Sequence, residues 1–295
     1  MEIIYTSFEW AKATLPKRKT DGNKGSFGRL FMYVGSEKYQ GAALLSLEGA
    51  LRGGAGYVEV GASDELKKNL LLNFPEALYK NIPEASRLTD SDVKALLDAD
   101  RRASVTLVGC GCTKSDKLFD VIKQLLMTDG GTLVLDADAI NSMAEHKGEA
   151  LELLQNTERT VILTPHSMEF SRICGIDISY INENRVKCAK DFASEYGCIL
   201  VLKGNGTVIT DGMDVYINTS GSSALAKAGS GDTLAGILSS LSASSTLSPV
   251  LASALAVFVH GKAADNLSDE YSQYGVTPSD LPKEMARVLS DIEKA

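Results

Sequence analysis

"AKAGSGDTLAGILSSL", residues 226–241, is the stretch on which the reading of this chain turns. Leu234, Ile237, Leu238 and Leu241 recur at helical spacing, so a helix starts here with Asp232 at its beginning. Asp232 can be read in two ways. As an N-cap it satisfies free amides and the helix dipole, a contribution of about 0.5–2 kcal/mol. The other reading comes from Gly229 and Gly231, on either side of Ser230. They permit backbone that a Cβ would obstruct, so amides can converge on an anion. A carboxylate beside such an anion hole is electrostatically misplaced unless it takes up a proton. The fitting reaction is attack of a hydroxyl on a phosphoryl group.

Outward from this point, short apolar runs alternate with longer amphipathic ones. "RLFMYVGS", "AGYVEVGA", "VTLVGCG", "GTLVLDADA", "TVILTPH" and "CILVLKG" predict buried strands. "GAALLSLEGALRGG", "SDVKALLDAD", "LFDVIKQLLM" and "NRVKCAKDFASEYG" predict helices between them. Strand then helix, repeated about six times, predicts an α/β fold: a mostly parallel sheet covered by helices on both faces, in three layers. "GTVITDGMDVYIN" predicts a hairpin turning at "TDGM". No linker, repeat or low-complexity segment divides residues 1–295, which read as one domain.

The polar residues of interest fall at the carboxyl ends of these strands, where open parallel sheets bind ligands. "VLKGNGT" runs from Lys203 through Gly204, Asn205 and Gly206 to Thr207: a cation, glycine amides and a hydroxyl suited to nucleotide phosphates. "TPHSMEF" sets His166 and Glu169 three apart. They can orient a substrate and hold a hydrated magnesium ion through the carboxylate; His166 alone also reads as a helix-start histidine. "LDADAIN" places Asp136, Asp138 and Asn141 after a strand, with Asp138 reading as a plain cap. A Walker A sequence and a post-strand G-x-G-x-x-G are both missing, which removes the two commonest nucleotide folds.

Composition bounds the partners. An apolar fraction of 44% and a charged fraction of 23% are those of an ordinary globule. A formal charge of -8 argues against nucleic acid or an anionic membrane as partner. A phosphorylated small molecule stays open, since a few local amides and cations can hold an anion. The amino-terminal residues lack a signal-peptide pattern, and "VLASALAVFV" is too short to span a bilayer. The five cysteines show no zinc spacing and read as reduced thiols of a cytoplasmic protein. Cys110 and Cys112, flanking Gly111, carry a redox or metal device as a second reading.

Taken together these segments resemble the ribokinase-like superfamily, and within it the ADP/ATP-dependent NAD(P)H-hydrate dehydratases. The resemblance runs nearly end to end, through "KGSFGRLFMYVGS", "GAALLSLEGALRGGAGYV", "LDADAIN", "TPHSMEF", "VLKGNGT", "GSGDTLAGIL" and "VFVHGKAAD". It implies dehydration of the S-forms of NADH hydrate and NADPH hydrate at the expense of ADP or ATP, with Mg2+. It also implies a homo-oligomer, a tetramer, and a preference for ADP. Asp232 would be the base, Gly229, Ser230 and Gly231 the anion hole, and Lys203 to Thr207 the nucleotide loop. Asn218 falls where the family has an asparagine in the loop preceding the anion hole. Ala42, Gly111 and His166 match positions lining the hydrate site, and Glu169 matches the carboxylate near magnesium.

The chain departs from the family's usual wording at three places. "GCGCTKSD" stands where G-P-G-L-G is frequent, "HSME" replaces H-P-G-E, and "AGSGD" replaces G-G-T-G-D. The pattern starts within the first thirty residues, so the epimerase domain sometimes fused upstream is not expected. Two other functions compete. A vitamin-precursor kinase of the same superfamily would share Asp232 and the anion hole. A non-catalytic nucleotide binder would be expected to have lost the base first.

Overall fold

The apolar runs resolve into ten strands in a computed structural model that describes residues 3–244 and 246–295. They are β1 (Ile3–Tyr5), β2 (Arg29–Tyr33), β3 (Tyr57–Ala62), β4 (Leu78–Asn81), β5 (Val105–Val108), β6 (Thr132–Leu135), β7 (Val161–Leu163), β8 (Ile199–Leu202), β9 (Val208–Thr210) and β10 (Val215–Ile217). One sheet joins them in the order β1-β10-β9-β8-β7-β6-β5-β2-β3-β4. All neighbours are parallel except β9, which runs antiparallel to both β8 and β10. The six predicted strands are β2, β3 and β5 to β8, and the predicted hairpin is β9–β10. The short "IIY" and "LYKN" segments that form β1 and β4 carry no pattern to distinguish them from loop.

Along β2 the two-residue period sorts side chains between two cores. Leu30 and Met32 enter one apolar cluster, Phe31 and Tyr33 the other. The first cluster is covered by α1 (Phe8–Thr14), α2 (Gln40–Arg52) and α3 (Asp64–Asn73). The second is covered by α4 (Asp90–Asp100), α5 (Asp116–Leu126), α6 (Asp138–Glu145), α7 (Lys147–Asn156), α8 (Ser167–Cys174), α9 (Ile178–Glu183) and α10 (Arg185–Tyr196). The chain then returns to the first face with α11 (Ser230–Ser244), α12 (Pro249–Gly275) and α13 (Leu281–Lys294). This is the expected three-layer α/β/α arrangement.

Two features place a site at the carboxyl edge. From β2 the chain steps outward to β3 and β4, then crosses back to β5 on the other side of β2. That switch of direction leaves a crevice beyond the ends of β2 and β5. Second, α11 lies unusually close to α2. A Cβ on Gly236 would sit 2.0 Å from the Ser46 carbonyl oxygen, so only glycine allows this approach. The contact presses the start of α11, with Asp232, toward the sheet edge. At the opposite edge Arg159 forms a bidentate pair with Asp100 (2.9 and 3.0 Å), both fully buried, and ties the strand entrances together.

Candidate active site

Of four neighbouring strands, three deliver polar side chains to a buried carboxylate on the fourth. Asp136 follows β6 and is almost wholly buried. It accepts from Thr164 Oγ1 after β7 (2.7 Å), from Lys203 Nζ after β8 (2.8 Å) and from Cys110 Sγ after β5 (3.4 Å). Burial works against the Lys203 ammonium, but Asp136 and Glu169 outweigh it and the lysine's pKa is raised. Lys203 is therefore a fixed cation.

Asp232 joins this group from α11. The Gly229 carbonyl accepts from the Thr233 amide (3.2 Å), so the helix is entered at Gly229 and Asp232 sits inside the first turn. The N-cap reading is thus corrected: Gly229, at φ +101°, takes the cap position that only an unbranched backbone fills easily. Ligand atoms of Asp232, Asp136 and Cys110 all lie within 4.8 Å of one another. Burial first, then repulsion from Asp136, raises the Asp232 pKa from 3.8 to about 7; Lys203 and a hydrogen bond with Cys110 pull the other way. A carboxylate that titrates near neutrality is suited to proton transfer.

On one side of this centre opens a cleft of about 540 Å3. Lys203, Gly204, Asn205, Gly206, Thr207, Asn218, Ser230 and Gly231 all line it, so the predicted nucleotide and anion-hole residues meet, apart from Gly229 just behind them. Thr207 Oγ1 donates to the Gly204 carbonyl (2.9 Å) and closes the loop into a ring. Asn218 is spoken for: its oxygen accepts from Thr6 and Ser220 hydroxyls, and its amide donates to the Ser220 carbonyl. Asn218 therefore shapes the wall. Ser230 Oγ, buried at the cleft's inner end, has no partner. An orphaned hydroxyl there fits an incoming phosphate oxygen. His260, also lining the cleft, is held neutral, its pKa lowered to about 4 by burial.

The remaining predicted residues lie outside that cleft. Gly111 packs on Ala42, where an added Cβ would come within 2.7 Å of the Ala42 methyl. The loop lacking the family's proline is nonetheless pinned: Gly35 N donates to the Cys110 carbonyl (2.7 Å) and Cys112 Sγ to the Tyr33 carbonyl (3.1 Å). All five cysteines are free. Asp138 does not cap α6. Ala137 stands before the helix at φ +47°, and the Asp138 carboxylate instead accepts from the Thr113 amide (2.9 Å), fixing the β5 loop.

His166 and Glu169 form a reciprocal capping box at the start of α8, through His166 Nδ1 (3.2 Å) and Glu169 Oε2 (2.9 Å). The histidine ring stays half-exposed, and a parallel bridge to Lys203 holds its backbone at the centre. Among the described residues, Cys110, Asp136 and Asp232 make up the one three-residue group with metal-type donors. Its Asp136 is already paired with the Lys203 ammonium, and its protonated thiol suits no hard cation. Glu169, a buried carboxylate whose Oε2 accepts from the His166 amide, is a hard oxygen donor of the kind Mg2+ takes, usually through the ion's own water. Thr164 and the linking role of Asp136 went unread in the sequence. Their signal was the position of each directly after an apolar strand.

A sequence profile described as NAD(P)H-hydrate dehydratase matches residues 30–287. The ADP-dependent (S)-NAD(P)H-hydrate dehydratase of Bacillus subtilis is 32% identical, over 99% of this chain and all of its own length. The bifunctional NAD(P)H-hydrate repair enzyme Nnr of Moorella thermoacetica is 33% identical over 97% of this chain, which spans about half of that relative. A crystal structure of the Bacillus subtilis ADP/ATP-dependent NAD(P)H-hydrate dehydratase, co-crystallized with ATP/Mg2+, superposes with a TM-score of 0.85 at 30% identity, covering 99% of this chain and 100% of that one. Hydroxyethylthiazole kinase from Pyrococcus horikoshii shares the fold alone, with a TM-score of 0.59 at 15% identity over 89% of this chain and 87% of that one.

Proposed function

The chain belongs to the NAD(P)H-hydrate dehydratase family, and from that premise we propose that it restores NADH and NADPH from the S-forms of their hydrates, using ADP as phosphoryl donor, with ATP as the alternative. The observation that carries the reading is Asp232: a largely buried carboxylate with a pKa near 7, at the junction of a phosphate-binding cleft and a fixed lysine. Hydroxide is a poor leaving group, so direct dehydration of the ring is slow. Asp232 takes the proton of the ring hydroxyl as its oxygen attacks the terminal phosphoryl group, and AMP (or ADP) departs. The amides of Gly229 and Gly231, Ser230 through its unpartnered hydroxyl, and Lys203 carry the charge on that group. The C–O bond of that ester then breaks with help from the ring nitrogen lone pair, phosphate leaves, and loss of the neighbouring ring proton restores the double bond.

Ala42, Gly111 and His166 border the nicotinamide end, and the loop from Lys203 to Thr207 holds the donor. Glu169 would hold magnesium through the ion's water, and the ion would supply charge neutralisation at the phosphates. The same reading takes residues 1–295 as one catalytic domain, and the family resemblance extends it to a cytoplasmic homotetramer, whose mass light scattering measures. No helix among the described residues is long and apolar enough to cross a membrane.

The test is to incubate the protein with NADH hydrate or NADPH hydrate and either ADP or ATP, following the absorbance of the dihydronicotinamide. Restored absorbance is expected, faster with ADP. Failure with both donors, together with a stable phosphorylated alcohol, would sink the dehydratase in favour of a kinase.

A further inference from the structure

A second cleft, of about 610 Å3, opens at the same sheet edge on the other face. Lys114 reaches it from the loop after β5, Asp138, Asn141 and Glu145 from α6, and Arg172 from α8. The elements that follow three adjacent parallel strands thus build it. Helices α6 and α8 pack on the second apolar cluster, whereas α11 and α12, which wall the donor cleft, pack on the first. Lys203, which bonds Asp136, lines the first cleft, and Asp138, two residues after Asp136, lines the second.

The loop after β5 links that centre to the second cleft. Gly111 packs on Ala42, Thr113 is held at φ +66° by the Asp138 carboxylate, and Lys114 lies in the cleft wall. Arg172 differs from the other charged residues there. Lys114 is paired with Glu145, and Asp138 is engaged by the Thr113 amide. Arg172 donates to Asn141 Oδ1 (2.8 Å) and touches Met168 Sδ (3.2 Å), both neutral, and pairs with no carboxylate among the described residues. An uncompensated guanidinium on a chain of net charge -8 is a natural anion partner, and its planar fork matches phosphate oxygens two at a time. The carboxylates beside it suit ribose hydroxyls, which donate to acids.

With the donor in the first cleft, a hydroxyl-bearing dinucleotide has this side open to it. We propose that Arg172, oriented by Asn141, binds a phosphate of the dinucleotide hydrate: its pyrophosphate, or the 2′-phosphate of the NADPH form. The assignment rests on the dehydratase reading above.

Arg172→Gln and Arg172→Lys in the full chain test it by steady-state kinetics. Arg172→Gln raises KM for the hydrate about tenfold or more, while kcat, KM for ADP and Tm stay unchanged; Arg172→Lys recovers part of the loss. A rise with both hydrates identifies the pyrophosphate, and a rise with NADPH hydrate alone identifies the 2′-phosphate. Unchanged KM for both, or a raised KM for ADP, overturns the assignment. Calorimetric binding of NADPH without donor reads the same contact independently of turnover, with affinity about tenfold weaker in Arg172→Gln. A wild-type protein that binds NADPH through Arg172 but regenerates no dihydronicotinamide refutes the dehydratase reading and leaves the phosphate site standing.

Discussion

Replacing Asp232 by asparagine keeps the side chain's shape and removes its ionisation, so one variant separates the residue's two effects. The first is on folding. A carboxyl whose pKa rises from 3.8 unfolded to about 7 folded binds its proton more tightly in the native state. Its contribution is therefore fully favourable below about pH 4, declines as pH rises, and is lost once pH passes about 7. At 1.36 kcal/mol per pH unit, the difference amounts to about 4 kcal/mol above neutrality. Asp232→Asn escapes this penalty. Its Tm should match that of the wild type near pH 4 and exceed it by several degrees at pH 8, with no donor present. The second effect is on chemistry. Loss of a general base lowers kcat by about 10²–10⁴-fold, while the donor's affinity is kept. In the wild type, kcat/KM falls tenfold per pH unit below about 7, because the base must be ionised to accept a proton. Calorimetry across pH and the dihydronicotinamide assay read the two effects separately. Unchanged turnover, or a stability difference that does not vary with pH, would refute the role given to Asp232.

Lys203→Met removes the cation that compensates buried Asp136; expected are a loss of about 3–5 kcal/mol in urea unfolding and a raised KM for the donor. Asp100→Ala leaves the Arg159 guanidinium buried without its partner, at a similar cost. It lies at the far edge of the sheet, so the pH–rate profile should keep its shape while Tm falls. Gly236→Ala places a methyl 2.0 Å from the Ser46 carbonyl and forces α11 away from α2. A loss of about 1–3 kcal/mol accompanied by a fall in kcat would show that this contact seats Asp232.

The apolar runs at residues 29–33 and 105–108 made the central strands legible, because a strand buried on both faces writes a near-continuous apolar run. The three-residue β1 and four-residue β4 at the sheet margins were not legible, since burial there is partial and the runs are too short for a period. Within the site, residues whose role is set by their own neighbours in sequence were readable: Lys203 to Thr207 close a ring through Thr207 and Gly204, and Gly229 to Asp232 open a helix. Asp138 was misread for the complementary reason. Its position before a helix fits a cap, but the amide it holds belongs to Thr113, twenty-five residues earlier. The sequence also kept silent about Cys110 and Thr164 as partners of Asp136, because that cluster exists only once three strands are adjacent in the sheet.

The charges at the centre give Asp136 an electrostatic part in the role proposed for Asp232. Two carboxylates and one ammonium share the buried spot, with the thiol neutral, so the cluster carries one net negative charge when Asp232 is ionised. Without Asp136, Glu169 would be left to oppose the burial of the lysine, and Asp232 would lose the repulsion that raises its pKa. With Asp136 present, the lysine's charge is satisfied at 2.8 Å and Asp232 is left with its proton affinity raised. An incoming phosphate adds negative charge to the same spot, worth about 4 kcal/mol for a unit charge at 4 Å in an effective dielectric of 20. Amides at the mouth of α11 and the lysine oppose that term, so the base can still ionise when the donor is bound. Asp136 thus takes Lys203 as its own partner and leaves Asp232 the carboxylate available for the proton transfer proposed above.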